Sequence, residues 1–169
     1  VPANPCDDSV PVEGYTVGAM PALQWSNARW NPPTRAQVAG FDEQGYYKGI
    51  DVDAPESGLE DTEQFDGFSS LAGVFYEGGH YPEEYQGKYF MVDFSGWIKV
   101  ADFDDNDQLY SVQSFHSNAK DIIHLALNPM DEKIYYISLA GTVHQISYGG
   151  NPPPVAKIQS DQFFGPGPL

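Results

Sequence analysis

Two histidines, a run of carboxylates and one isolated aspartate are the residues of this 169-residue chain whose types and spacing bear on chemistry. His116 and His124 invite a general-base role, because imidazole titrates near neutrality. His124, inside Ile122-Ile-His-Leu-Ala-Leu127, reads better as a packed, hydrogen-bonded strand residue. Asp102-Phe-Asp-Asp-Asn-Asp107 is rich in oxygen ligands, but a helix-loop-helix calcium site needs Gly after the third acidic position and Glu at the twelfth. Gln108 and Leu109 follow instead, and Gln113 stands where that Glu should be, so the run reads as a hairpin turn. Asp93, ahead of Phe94-Ser-Gly96, either orients a ligand or braces the turn after it; capping neighbouring N–H groups is the commoner use. The aromatics of His80-Tyr-Pro-Glu-Glu-Tyr85 suit either a structural turn or stacking on a sugar. No Ser-His-Asp, Cys-His or HExxH arrangement and no phosphate-cradling Gly loop is present, and no catalytic residue is assigned.

These residues hang on short β-branched and aromatic runs separated by Gly, Pro, Asn and Asp. The runs are Gly73-Val-Phe-Tyr76, Lys88 to Phe94, Trp97 to Phe103, Tyr110 to Phe115, Ile122 to Leu127, Lys133 to Ser138 and Thr142 to Tyr148. Such a series predicts successive antiparallel strands in an all-β fold, with no helical apolar stripe. The spacing predicts one four-stranded sheet over 71–115 and a three-stranded sheet over 122–148 packed against it. That is the repeat of antiparallel β-propeller blades, and two blades cannot close a ring. The last sheet lacks a fourth strand, so its edge should be paired by a segment of 1–67 or by further chain.

Gly73-Val-Phe-Tyr-Glu-Gly-Gly-His-Tyr-Pro82, Tyr85-Gln-Gly-Lys-Tyr-Phe90, Asp93-Phe-Ser-Gly-Trp-Ile98 and Ile134-Tyr-Tyr136 together resemble the C-terminal blades of the glucose/sorbosone dehydrogenase family. Gly150-Asn-Pro-Pro-Pro-Val-Ala-Lys-Ile158 is similar to the junction at which such propellers enter a PKD-like module. The resemblance implies a secreted six-bladed propeller that oxidises aldoses with pyrroloquinoline quinone (PQQ), often with calcium. It places the cofactor over the face built by 93–96, 116–121 and 138–141. On that face Lys120, beside Asp121, would meet the carboxylates of the quinone, and Asp93 would stand at the rim. Family members often carry a second basic residue near Lys99, which this chain lacks, and the family's base histidine lies upstream of this portion. The parent protein is therefore expected to hold PQQ and calcium, and this chain alone to bind neither tightly.

The chain divides by composition into residues 1–67, a loop-rich insertion or part of an earlier blade; 68–148, the last two blades; and 149–169, a linker and the start of the PKD-like module. Its 17 Gly and 14 Pro suit a hairpin-rich fold. A net charge of −16 argues against nucleic acid or an anionic membrane as partner. No apolar run is long enough for a membrane helix, and the N-terminal residues lack the pattern of a signal peptide. Cys6 has no partner within the chain and pairs, if at all, with a cysteine of a longer exported parent. The expected partners are the remainder of the propeller and a sugar substrate, in a secreted, periplasmic or cell-surface setting. The alternative function is a non-catalytic propeller serving as scaffold, adhesion or carbohydrate-binding domain, the last through Tyr81, Tyr85 and Trp97.

Overall fold

A computed structural model describes residues 21–25, 35–119 and 121–149, and these form three antiparallel sheets with no long helix. Strands β1 (Gln37–Phe41) and β2 (Tyr47–Asp51) make a hairpin. Strands β3 (Ser70–Phe75), β4 (Tyr89–Asp93), β5 (Ile98–Phe103) and β6 (Leu109–His116) make a four-stranded sheet in sequence order, and β7 (Ile122–Asn128), β8 (Lys133–Ser138) and β9 (Val143–Gln145) a three-stranded one. The strands of the second and third sheets lie where period-two alternation places them, the last being shorter than expected.

The four-stranded sheet is the middle layer, which explains why β4 and β5 read as nearly continuous apolar runs. A strand covered on both faces has no polar side to present. Phe90, Val92, Ile98 and Val100 face the third sheet and pack with Ile122, Leu125 and Ile134. Met91, Ala101 and Val112 face the other way, toward Leu23, Trp25 and Phe65. The same three residues also cover Ala36, Val38 and Val52 behind the β1–β2 hairpin. Burying each of these large side chains contributes about 1.5–3 kcal/mol, an upper range because a real unfolded chain is not fully extended.

Two tyrosines pin the loop after β3 into the main core. Tyr76 and Tyr81 stack with ring centroids 4.5 Å apart. The Tyr76 hydroxyl accepts the N–H groups of His80 and Tyr81 and donates to the carbonyl of Glu132. The Tyr81 hydroxyl accepts the N–H of Ile134 at 3.0 Å and donates to the carbonyl of Ile146 at 2.8 Å. Burial supplies the affinity and the hydroxyls supply the register between two sheets.

A bulge between Ile122 and His124 sets which side of β7 is inside. One extra residue reverses the alternation, so Ile122 and Leu125 are buried while His124 and Ala126 point away from the core. The expectation of a packed His124 is corrected accordingly: its side chain is exposed.

Residues 1–67 differ from the sequence reading where they are described. The β1–β2 hairpin is regular structure that a loop-rich composition does not announce, β1 least of all. Its apolar signal is thin because Ala39 and Gly40 interrupt it, and the strand forms because Ala36, Val38 and Val52 find a shared core. Glu60 donates its N–H to the carbonyl of Tyr110, and Thr62 accepts the N–H of Val112, so this segment runs along the free edge of β6. Among the described residues, no strand pairs the outer edge of β9. Where it is described, the N-terminal segment lies on the opposite face of the middle sheet, held there by Leu23, Trp25 and Phe65. No described helix is long and apolar enough to cross a membrane.

Candidate functional site

The three loops singled out from sequence meet at one end of the two larger sheets. The N–H of Ala119 donates to the carbonyl of Gly96, and the N–H of Leu139 to the carbonyl of Asp121, each at 2.8 Å. The 93–96 turn, the β6–β7 connection and the β8–β9 turn thereby form one rim. Antiparallel order requires this, since turns that leave the same ends of neighbouring strands lie side by side.

Asp93 is fully buried at this rim and serves its own fold. Its Oδ1 accepts the N–H groups of Phe68 at 2.7 Å and Ser95 at 2.8 Å, and its Oδ2 accepts the indole N–H of Trp25 at 2.9 Å. Gly96, at φ 102°, completes the turn by donating to the carbonyl of Asp93. The carboxylate braces the turn and anchors the N-terminal segment, with both oxygens directed inward. Asp121 takes the left-handed conformation at φ 56°, with its side chain exposed. Lys120, Cys6 and the Pro-rich stretch 150–158 lie outside the described residues.

The rim also carries a chain of polar contacts that the sequence reading missed. Ser138 Oγ lies 2.7 Å from Thr142 Oγ1, which lies 2.7 Å from Nε2 of His144. The His144 ring stacks on Tyr136 with centroids 4.5 Å apart and planes within 7°. A hydroxyl at hydrogen-bond distance from imidazole is the geometry in which the ring exchanges a proton with it. The available signal was Ser138 and Thr142 flanking a tight turn, with His144 two residues on; no linear motif marks it.

Other sequence candidates resolve into structural roles. Asp104 Oδ1 accepts the N–H groups of Asn106 and Gln108, and these backbone bonds, Gln108 first, hold its carboxyl below the usual aspartate range. The run 102–107 is thus a hairpin turn. Tyr81 is only 3% exposed, Tyr85 packs edge-on against Phe115, and Trp97 packs against Trp25 and Phe65. These three rings do not form a stacking platform for a sugar. Lys99 is buried; its ammonium donates to Ser114 Oγ and lies 4.5 Å from the centre of the Phe65 ring. Among the described residues, no three His, Cys, Asp or Glu side chains are grouped to hold a metal ion.

Among the described residues, nothing covers the outer face of β7–β9. Ala126, Leu127, Tyr135, Ile137 and Val143, with His124, line a shallow apolar cavity of about 250 Å³.

No family model, curated protein or solved structure matches this chain.

Proposed function

We propose that residues 68–148 are two neighbouring blades of a β-propeller, and that the chain is the C-terminal propeller portion of an exported quinoprotein aldose dehydrogenase of the glucose/sorbosone dehydrogenase type. One observation carries this reading. Among the described residues, the β7–β9 sheet has apolar side chains on both faces but is covered on one only, whereas the middle sheet is covered on both. A face bearing Ala126, Tyr135, Ile137 and Val143 suits a further sheet of the same kind, as in a ring of stacked blades.

Bound PQQ would supply the two-electron acceptor for a hydride from the sugar. The described rim residues do not fit it as a cradle: they include no Lys or Arg, and both oxygens of Asp93 are engaged internally. Lys120 or residues elsewhere in the parent would have to neutralise the quinone. In this reading the two blades help close the ring and shape the rim, and no chemical step is assigned to them.

The internal use of Asp93 also favours a second reading, a non-catalytic propeller that acts as a scaffold in a large exported protein. The test is to reconstitute the parent protein with PQQ and calcium and measure reduction of an artificial electron acceptor by aldoses, with the 169-residue chain as comparison. Turnover by the parent alone supports the dehydrogenase. A parent inactive on every aldose, despite quinone and calcium, leaves the scaffold reading.

A further inference from the structure

The two faces of the β1–β2 hairpin have opposite characters. Ala36, Val38, Ile50 and Val52 turn inward to a small core. The outward side presents Arg35, Gln37, Ala39 and Phe41 from one strand, and Asp51, Gly49 and Tyr47 opposite Gln37, Ala39 and Phe41 on the other. Phe41 is 63% exposed and Tyr47 47%. They are a cross-strand pair on one face, and the Tyr47 ring reaches along it until its hydroxyl meets Gln24. Two large rings exposed on one face point to a contact surface.

Behind the rings runs a continuous polar ladder. Gln24 Nε2 donates to the hydroxyl of Tyr47 and lies 3.5 Å from Gln37 Oε1. Gln37 Nε2 donates to Asp51 Oδ1 at 3.0 Å, and Arg35 donates to Asp51 at 2.7 Å and to Asp53 at 2.8 Å. Ala39 and Gly49, a cross-strand pair, occupy the middle of the face. The Gln37 side chain lies across Gly49, where a Cβ would collide with it. The Asp42 carboxylate fixes the hairpin tip by accepting the N–H groups of Gln44 and Tyr46. The platform is held in shape by internal bonds before any ligand arrives, which lowers the entropic cost of binding.

We infer that this face is a binding platform for a neutral oligosaccharide, with Phe41 and Tyr47 against the apolar faces of the sugar rings and Gln24, Gln37, Asp51 and Arg35 exchanging hydrogen bonds with hydroxyls. The stretch from 37 to 41 spans about 13 Å, long enough for a short oligomer. Neutral sugar is favoured by charge: the one guanidinium of the ladder is already shared by two carboxylates, and the whole chain carries −16. The platform is separate from the rim and does not depend on the dehydrogenase reading.

The test titrates the 169-residue chain by calorimetry with cellohexaose, maltohexaose and xylohexaose, and with oligogalacturonate as the anionic control. At least one neutral oligomer is expected to bind, and the Phe41→Ala/Tyr47→Ala double variant, with unchanged circular dichroism, is expected to lose at least about tenfold in affinity. Tyr47→Phe, which keeps the ring, is expected to bind within a few-fold of the parent, and Gln37→Ala to weaken binding. The inference is overturned if no neutral oligomer binds, if the double variant binds as well as the parent, or if only oligogalacturonate binds. A concentration-dependent dimer in sedimentation that the double variant abolishes, without sugar binding, overturns it in favour of self-association.

Discussion

The indole N–H of Trp25 donates to Oδ2 of Asp93 at 2.9 Å across 68 positions of the chain. Oδ1 of the same carboxylate holds Phe68 and Ser95, so one buried side chain ties the N-terminal segment, the segment leading into β3 and the β4–β5 turn.

Asp93→Ala should therefore act on stability. Three donors lose a charged acceptor in a buried site, and the loss is expected at about 3 kcal/mol or more, with Asp93→Asn intermediate. Urea unfolding followed by tryptophan fluorescence measures it. A loss below about 0.5 kcal/mol in Asp93→Ala would show that the brace is dispensable.

Tyr81→Phe keeps the ring in the core and removes a hydroxyl that satisfies Ile134 and Ile146 at once. The expected cost is about 1–3 kcal/mol, most of it from leaving a buried N–H without an acceptor. Hydrogen exchange should report it locally: the Ile134 amide is expected to lose protection before the amides of β4.

Acid should loosen the turns before the sheets. The carboxyl of Asp104 is held low by the N–H groups of Gln108 and Asn106, and that of Asp131 by the Tyr135 hydroxyl. Their folded-state values lie below the unfolded value near 3.9, so their stabilisation is present above about pH 3.9 and lost as pH falls through the lower folded values. Asp104→Asn and Asp131→Asn are each expected to flatten the fall in denaturation midpoint between about pH 4 and pH 2. A slope equal to that of the parent chain would refute the assignment.

Lys99 predicts a second rise of stability with pH, on the alkaline side. Burial lowers its pKa, with the Glu63 charge acting weakly the other way. Above the folded value the buried amine is neutral while the unfolded chain still binds a proton, up to about pH 10.4. The unfolded state then binds more protons, so this residue adds stability as pH rises through that window. Lys99→Met should remove the rise, read as the denaturation midpoint from pH 7 to pH 10.

Period-two alternation and turn residues were enough to place β3 through β9, because a strand's side chains alternate whatever it pairs with. The chain order of the two larger sheets followed from the short connections. The roles of individual residues were settled elsewhere. Asp93 read as either ligand or brace, and only its meeting with Trp25 and Phe68 decided that its oxygens point inward. His124 read as packed, and a single-residue bulge turned it outward. The Ser138–Thr142–His144 contacts arise from closure of a turn, and β1 formed against a core assembled from Leu23, Trp25, Val52 and Phe65. Local backbone preference is carried by neighbouring residues and is legible in them; burial, partner and direction depend on segments tens of residues away, which only the packed chain brings together.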